Sequence, residues 1–228
     1  MVKVSVIIPT KNEEEFIEKT LKSVNNQSIP RKDYEIIISD SESTDKTVKI
    51  AKKFADKILI KKTSNPAKGR NYGAEHAKGD ILVFLDADTI LPKNALEIIA
   101  EKIENGYVAG TFLVTLNKIT LVDWLFLSFI NTSELILNFF GIKLGNGNCL
   151  FIKRIVYKKI NGFNTKMDVG EDHDFIKKAA NHGRIIVLKE KVITSDRRIR
   201  KEGWLKLFYL WGKGLVIKNN KDKDYWQN

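Results

Sequence analysis

The sequence is poor in features that would assign it to several large classes of protein. It contains one cysteine, Cys149, which excludes a disulfide framework and fits a reducing compartment. Its three histidines do not have the spacing of a zinc site. The N-terminal apolar run, Val4 to Ile8, is too short for a signal peptide and is followed by no small-residue cleavage site. We therefore interpret this run as a first β-strand and expect a cytoplasmic protein.

Long apolar runs are also scarce, and the longest one carries charges. Leu121 to Phe140 is rich in apolar residues, but Asp123 and Glu134 interrupt it, which makes it a poor candidate for a membrane-spanning helix. Two interpretations stay open: a helix buried in the protein, or a helix that lies at a membrane surface. A second segment, Trp204 to Ile217, has the pattern of an aromatic, basic, amphipathic helix. Peripheral attachment to the cytoplasmic face of a membrane is therefore one hypothesis for this chain.

Positive charge is in excess and is unevenly placed. The chain of 228 residues has a net charge of +11, and the segment from Arg184 to the C-terminus, with 12 Lys or Arg and 5 Asp or Glu, holds +7 of it. Such a segment suits phosphates or anionic lipid headgroups, although a solvated lysine-rich surface explains the same composition. Nucleic acid is not an expected partner, because no nucleic-acid-binding motif accompanies the charge.

What the chain does contain is a regular alternation of strand and helix patterns. The apolar strands of the first half are continuous, and a helical pattern separates each from the next. This predicts an α/β fold: a doubly wound, mostly parallel sheet with helices on both faces, where ligands bind at the carboxyl ends of strands. The predicted strands are 4–8, 34–39, 57–60, 80–85, 107–116, 148–152 and 184–188, and the main predicted helices are 13–26, 44–55, 66–78, 92–104, 121–140 and 171–181.

Polar clusters follow the first two predicted strands. Pro9, Thr10 and Glu13 come after the first strand, in a segment that would also serve as an ordinary helix start capped by Asn12. Asp40 follows the second strand, where its carboxylate could accept a hydrogen bond from a base or a ribose. Turns favour aspartate in any case, so a purely structural role is the alternative.

Two further clusters carry the charges that a diphosphate site needs. Arg70 or Lys68 could donate hydrogen bonds to a diphosphate, and a basic helix start is the alternative for these residues. Asp86-Ala87-Asp88 follows the very apolar strand 80–85. Two carboxylates there repel each other unless a cation lies between them, and hard oxygen ligands suit Mg²⁺ or Mn²⁺. The same spacing occurs at Asp172-His173-Asp174 and Asp222-Lys223-Asp224, so position rather than pattern selects this pair; a charged turn is the alternative.

The last cluster lies in the second half, at the start of a predicted helix. Abstraction of a proton from an acceptor hydroxyl needs a carboxylate or an imidazole beside it, and Asp172, Glu171 and His173 offer these groups. The alternative is a helix start whose acidic residues suit the helix dipole. Candidates for contact with a diphosphate or an acceptor, or else for a basic surface loop, are Arg197, Arg200 and Trp204.

Taken in order, these clusters resemble those of the family 2 glycosyltransferases, inverting enzymes of the GT-A fold that use nucleotide sugars. The resemblance runs from about Val4 to Gly183 and rests on the segments 6–13 and 40–47, Arg70-Asn71, Asp86-Ala87-Asp88, Gly162-Phe163-Asn164 and Glu171-Asp172. It implies that the donor nucleotide is contacted by Pro9, Thr10, Glu13, Asp40, Arg70 and Asp86. It further implies Mn²⁺ or Mg²⁺ at Asp88, with Asp86 as a second contact, and Asp172 as catalytic base.

The expected reaction is transfer of one sugar from a nucleotide diphosphate sugar to a hydroxyl of a glycan or lipid-linked acceptor. Ser41 and Glu42 stand where members of the family often have Asp and Gly, so this loop does not specify the donor. Processive members carry a Gln-x-x-Arg-Trp element that the segment 196–200 only echoes, which favours a single addition.

Two other functions stay open. A sugar-1-phosphate nucleotidyltransferase would normally have a glycine-rich basic loop after the first strand, and the segment 10–13 has no glycine. The other alternative is a non-enzymatic nucleotide-binding protein of the membrane surface. We expect a domain over residues 1–200, with a nucleotide-sugar-binding half at about 1–116 and an acceptor half at 117–200, followed by a basic amphipathic helix and tail at 201–228.

Overall fold

Eight strands, eight α-helices and one short 3-10 helix (Arg31–Asp33) lie in the described part of the chain, which is residues 3–167, 170–207 and 209 of a computed structural model. The strands are β1 (Val4–Thr10), β2 (Tyr34–Asp40), β3 (Lys57–Ile60), β4 (Ile81–Leu85), β5 (Thr89–Ile90), β6 (Tyr107–Leu116), β7 (Cys149–Lys153) and β8 (Arg184–Thr194). The helices are α1 (Ile17–Asn25), α2 (Thr47–Ala51), α3 (Pro66–Glu75), α4 (Ala95–Glu104), α5 (Leu121–Phe139), α6 (Arg154–Lys159), α7 (Glu171–Ala180) and α8 (Arg197–Glu202).

The strands form one sheet with a parallel part and a mixed part. Their order is β3-β2-β1-β4-β7-β6-β8-β5. The first four are parallel to one another, as their continuous apolar character predicts. Strand β7 is antiparallel to both β4 and β6, and β5 is antiparallel to β8, whereas β6 and β8 are parallel. The antiparallel insertion of β7 joins the two halves of the chain into one sheet.

Helices cover both faces of this sheet, as predicted. Alternate side chains of β1 point to opposite faces, and they belong to two separate apolar clusters. Val6 and Ile8 pack in the cluster that includes residues of α1, α2 and α4. Ile7 packs in the cluster formed with α3, α6 and α7, where Phe84 and Phe175 are fully buried. Because both faces are covered, a ligand reaches the sheet at the ends of its strands.

The first helix begins later than predicted, at Ile17 rather than at residue 13. Asn12 has a φ of 54°, in the left-handed region, so the helix does not extend back through it. The N–H of Asn12 donates to Ser43 Oγ at 2.8 Å, and the N–H of Glu13 donates to Thr47 Oγ1 at 2.7 Å. The segment after β1 is therefore tied to the segment after β2, which delays the start of both helices.

Strand β8 is longer than the predicted strand 184–188 and continues to Thr194. Its pairing with β6 shifts register between Phe112 and Leu113, and the strand then resumes. The predicted strand ended at residue 188 because polar residues occupy this irregularity. The extra length carries Ser195 to the neighbourhood of Asp88, on the other half of the chain.

The structure decides only in part between the two interpretations of the apolar segment, a helix buried in the protein or a helix at a membrane surface. Helix α5 packs against β6 and β8, and its polar residues Asp123, Asn131 and Glu134 are buried there. Many of its large apolar side chains are exposed instead. Within the described ranges, no helix has the length and apolar character needed to cross a membrane. The predicted helix 204–217 is helical at 204–207 and at 209, and the rest of it lies outside the described residues.

Candidate active site

The polar clusters of the first half meet at one edge of the sheet. Thr10, at the end of β1, pairs in register with Asp40, at the end of β2. Strand β4 runs parallel to β1 on its other side, and Asp86 follows its last residue directly. The backbone N–H of Asp86 donates to the carbonyl of Asn148, just before β7. The clusters that sequence reasoning singled out after three separate strands therefore lie at the same edge.

Asp40 is buried and accepts several hydrogen bonds from the strand ends around it. Thr10 Oγ1 donates to its carboxylate at 2.7 Å, and Ser43 donates through its N–H at 2.8 Å and its Oγ at 2.6 Å. Ser41, beside it, donates from Oγ to the carbonyl of Thr63. Asp40 thus fixes the loop that follows β2. Its contact with a nucleotide base stays a prediction.

Arg70 connects the two halves of the chain through two carboxylates. It lies in α3, which begins with Pro66 and is capped by Asn65. Only 4% of its side chain is exposed. Its Nη2 donates to Asp86 Oδ1 at 2.8 Å, and its Nη1 donates to Glu171 Oε1 at 2.9 Å. The guanidinium is therefore engaged in holding these carboxylates in place, and its predicted contact with a diphosphate stays a prediction.

Burial and charge oppose each other in this cluster. Burial raises the pKa of Asp86 to about 7, although Arg70 acts to lower it, and 32% of the Asp86 side chain is exposed. Burial, followed by the charge of Asp172, raises the pKa of Glu171. Burial acts to lower the pKa of Arg70, but Asp86 and Glu171 outweigh it and raise that pKa. The positive charge of Arg70 thus lies beside three carboxylates, those of Asp86, Glu171 and Asp172. This excess of negative charge favours the binding of a further cation.

Asp88 faces the C-terminal segment of the described chain. Its Oδ2 accepts a hydrogen bond from Ser195 Oγ and lies 3.8 Å from Arg197 Nη2. Arg197 Nη2 also donates to Glu13 Oε1 at 3.0 Å, and its side chain is 47% exposed. Burial raises the pKa of Glu13, against the lowering effect of Arg197. Arg197 therefore lies between Glu13, a predicted donor-site residue, and Asp88, a predicted metal ligand. Ser195 was missed because the strand before it was predicted too short.

Asp86 and Asp88 suit a metal ion that binds together with a phosphate ligand. Among residues 3–167, 170–207 and 209, no three His, Cys, Asp or Glu side chains are grouped closely enough to hold a metal by themselves. Mg²⁺ in proteins is commonly held by one or two carboxylates plus substrate phosphates. Each of the two carboxylates has one oxygen engaged, by Arg70 and by Ser195, and a second oxygen to offer. The residues present thus fit a metal site that a diphosphate completes.

Asp172 lies beside this cluster, at the start of α7. Its Oδ1 accepts the N–H of His173 at 2.8 Å. A Cβ atom added to Gly147 would lie 3.2 Å from Asp172 Oδ2 and 3.4 Å from Arg70 Nη2, so both groups approach the same glycine. His173 points its Nδ1 to the N–H of Gly145, at 3.4 Å. The structure therefore places Asp172 and Glu171 beside Arg70, which also binds Asp86, so that the predicted residues form one candidate site.

Glu134, in α5, is a buried carboxylate on the same side of the site that sequence reasoning missed. Its Oε2 accepts from Asn146 Nδ2 at 3.3 Å, and its Oε1 is buried without a hydrogen bond from any described residue. Burial raises its pKa to about 7 despite Asn146, and the charge of Asp172 adds to the rise. The sequence signal that could have identified Glu134 is a carboxylate within a predicted apolar helix. The sequence analysis used this carboxylate only as an argument against a membrane-spanning helix.

Arg200 and Trp204 are held by Asp123 of α5. Arg200 Nη2 donates to Asp123 Oδ2 at 2.6 Å, and Trp204 Nε1 donates to Asp123 Oδ1 at 2.9 Å. Burial would raise the pKa of Asp123, but the hydrogen bonds from Arg200 and Thr120 lower it well below its usual range. These contacts fasten the end of the described chain onto α5. Contact of Arg200 or Trp204 with an acceptor stays a prediction.

A sheet with charged clusters at the carboxyl ends of its parallel strands is the arrangement by which α/β proteins bind nucleotides. The family model described as Glycosyl transferase family 2 matches residues 5–160, more than half of the chain. The chain belongs to this family, and the predicted membership is confirmed.

Several curated relatives share parts of the sequence. The probable glycosyltransferase YdaM of Bacillus subtilis is 28% identical over an alignment of 231 positions, which covers 93% of this chain and 55% of YdaM. A GalNAc(5)-diNAcBac-PP-undecaprenol beta-1,3-glucosyltransferase of Campylobacter jejuni is 38% identical over 50% of this chain and 39% of its own. The poly(ribitol-phosphate) beta-N-acetylglucosaminyltransferase TarS of Staphylococcus aureus is 34% identical over 47% of this chain, and the match spans 20% of TarS. The chain thus matches only a part of each of these relatives.

Solved structures confirm the GT-A-type fold. The mannosyltransferase PcManGT from Pyrobaculum calidifontis, in complex with GDP-Man and Mn²⁺, aligns with a TM-score of 0.70 at 23% identity, over 97% of this chain and 66% of PcManGT. A fragment of S. aureus TarS in complex with UDP-GlcNAc aligns with a TM-score of 0.67 at 23% identity, over 85% of this chain and 58% of that one. The α/β class predicted from the sequence is the observed one.

Proposed function

We propose that the protein is an inverting, metal-dependent glycosyltransferase that moves a single sugar from a nucleotide diphosphate sugar to an acceptor hydroxyl. The observation that carries the proposal is the meeting of Asp86, Arg70, Glu171 and Asp172 in one cluster, although they come from three distant segments. Membership of glycosyl transferase family 2 supports the same reaction.

The proposed reaction is a single displacement at the anomeric carbon. The acceptor oxygen forms the new bond to this carbon, the bond to the diphosphate oxygen breaks, and the configuration inverts. Asp172 takes the proton of the acceptor hydroxyl, since its Oδ2 lies beside Gly147 at the edge of the cluster. Arg70 keeps Asp86 and Glu171 in position for this step.

Charge on the departing diphosphate needs cations on the donor side. Arg197 is a candidate for this role, because it is half-exposed and lies next to both Glu13 and Asp88. Asp88, with Asp86, would hold Mn²⁺ or Mg²⁺ there, and a bound metal would supply Lewis-acid stabilisation of the leaving group. Mn²⁺ accompanies GDP-Man in the mannosyltransferase structure, which supports a metal of this kind.

The donor and acceptor are proposed by class. UDP-GlcNAc and GDP-Man, bound by two structural relatives, make nucleotide diphosphate sugars the donor class to test. One relative is named for an acceptor linked to undecaprenol, which supports a lipid-linked acceptor as well as a soluble glycan. We therefore propose a cytoplasmic protein that works at the inner face of a membrane.

The test is a panel of nucleotide sugars with Mn²⁺, with Mg²⁺ and with EDTA. Release of nucleoside diphosphate that depends on the metal supports a glycosyltransferase. Release of pyrophosphate from a nucleoside triphosphate and a sugar-1-phosphate would instead support the nucleotidyltransferase. Nucleotide binding with neither product would leave a non-enzymatic binding protein. A bound nucleotide sugar also raises the melting temperature, so thermal stabilisation identifies donors before turnover is measured.

A further inference from the structure

Helix α5 has the reverse of the usual arrangement of a surface helix. Its polar residues Asp123, Asn131 and Glu134 face the protein and are at most 7% exposed. Its outward face is mainly apolar, with Thr132 as an exposed polar residue on it, and its large apolar side chains have exposures between 49% and 84%: Leu121, Val122, Trp124, Leu125, Phe129, Ile136 and Phe139. These positions recur at helical spacing along the whole helix, which is about 28 Å long for its 19 residues. An exposed, mainly apolar stripe of this length marks an interaction surface.

The inward side chains fix this orientation, so the helix cannot turn its apolar face to the core. Asn131 accepts from the N–H of Val114 at 3.1 Å and donates to the carbonyl of Val114 at 2.9 Å. Asp123 accepts from Arg200 and Trp204 and closes a capping box with Thr120. Rotation of α5 would leave these buried polar groups unpaired, at a free-energy cost of several hydrogen bonds.

The apolar surface extends beyond α5 and is bordered by positive charge. Leu205 lines a groove together with Leu125, so the segment after α8 continues the surface. Both carboxylates of α5 are buried, and its outward face carries no acidic residue. Exposed lysines lie before α5, at Lys118, and on the C-terminal segment, at Lys201 and at Lys206, whose Nζ lies 3.9 Å from Glu202 Oε2. An apolar face with a basic border is complementary to anionic lipid headgroups over an acyl interior.

We propose that α5 lies in the interface of an anionic bilayer, with its outward face among the acyl chains and the lysines at the headgroups. A second copy of the chain fits less well, because a symmetric contact through this face would bring the same lysines of both copies together. The proposal identifies the surface by which the protein would reach a lipid-linked acceptor, and to that extent it rests on the proposed function.

The two faces of α5 connect the bilayer to the candidate base. Glu134, on the inner face, accepts from Asn146, and the next residue of that loop, Gly147, is the one that Asp172 Oδ2 approaches. A single helix therefore separates the lipid from the candidate base. An acceptor held in the bilayer by a lipid chain would present its hydroxyl at the edge of this helix, which makes an amphiphilic acceptor the fitting class.

The experiment is flotation of the full chain with vesicles of phosphatidylcholine containing 30% phosphatidylglycerol, and with vesicles of phosphatidylcholine alone. The test variant is Trp124→Glu/Phe139→Glu, which places two charges on the outward face. The control is Ile60→Glu/Ile155→Glu, which makes the same change at two exposed isoleucines of β3 and α6. We expect the wild type and the control to float with the anionic vesicles, and the test variant to bind them at least about tenfold more weakly.

Circular dichroism and the melting temperature check that both variants are folded, since all four substituted side chains are exposed. Equal flotation of the two variants would overturn the proposal, as would a wild type that does not float. A wild-type dimer without lipid that Trp124→Glu/Phe139→Glu converts to a monomer would assign the face to self-association instead. Flotation without nucleotide-sugar turnover would disprove only the proposed reaction, and turnover without flotation would disprove only this surface.

Discussion

The two proposed halves of the molecule, a donor half at residues 1–116 and an acceptor half at residues 117–200, bring their candidate functional groups together in different ways. In the donor half, Asp40 ends β2 and Asp86 follows β4, the two parallel strands that flank β1, so a regular sheet alone places them. In the acceptor half, Glu134 and Asp172 lie on two helices that touch the same loop, residues 145–148. The first arrangement follows from local sequence patterns, and the second follows from tertiary packing. We therefore expect the donor half to depend on one ion cluster and the acceptor half on individual buried polar contacts.

The largest expected effect is the loss of the cation that joins the two halves. Arg70→Met would leave Asp86 and Glu171 buried next to each other without a counter-charge, which should lower the free energy of unfolding by about 3–5 kcal/mol. Arg31→Met is the matched control, because it removes an exposed pair with Asp56 that contributes about 1 kcal/mol or less. Denaturant unfolding of both variants measures the difference. Equal losses would show that Arg70 does not hold the halves together.

The next effect concerns the attachment of the C-terminal segment to the acceptor half. Asp123→Asn removes the charge that accepts from Arg200 and Trp204, and should lower the melting temperature by roughly 5–10 °C. Asp196→Asn, which weakens only an exposed contact with Arg200, should lower it by less than about 2 °C. Calorimetry compares the two. A larger loss from Asp196→Asn would contradict the role given to Asp123.

A smaller effect is the pH dependence that Glu134 gives to the free energy of unfolding. In the folded protein the pKa of Glu134 is raised from 4.5 to about 7 by burial. Between these values the folded chain binds more protons than the unfolded chain, so stability falls as pH rises, by a total on the order of 3 kcal/mol. Glu134→Gln, which resembles the protonated acid, should remove this part of the decline.

The measurement is the free energy of unfolding of the wild type and of Glu134→Gln at pH 5, 6, 7 and 8. The two curves should converge near pH 5 and separate by pH 8, where Glu134→Gln is the more stable. Parallel curves would show that Glu134 does not hold its proton as its burial requires.

The features that the sequence predicts and those that it does not predict differ in the same way, as local patterns differ from tertiary packing. The position of Asp86 was predictable because an uninterrupted apolar strand precedes it, and the start of α3 was predictable from Asn65 and Pro66. Neither needs information from a distant part of the chain. The family resemblance then gave Asp172 a role beside Asp86, and the structure brings the two segments together through Arg70.

The rest depends on pairings that no local pattern encodes. Ser195 reaches Asp88 only because β8 continues past a change of register with β6. Glu134 joins the site only because the polar face of α5 is the buried one, which is the opposite of what amphipathic patterning assumes. The antiparallel direction of β7 likewise depends on strand pairing across the two halves.

The central claim is that Asp172 removes the proton of the acceptor hydroxyl and that the neighbouring donor site binds its nucleotide sugar without help from Asp172. The direct test compares the wild type, Asp172→Asn and Asp174→Asn in metal-dependent release of nucleoside diphosphate, together with donor binding by calorimetry. Asp174 is the matched control, because it is a neighbouring carboxylate of α7 that pairs with Lys178. We expect Asp172→Asn to lose about 10²–10⁴-fold in kcat with donor affinity unchanged, and Asp174→Asn to keep its activity. Turnover by Asp172→Asn at the wild-type rate would contradict the account.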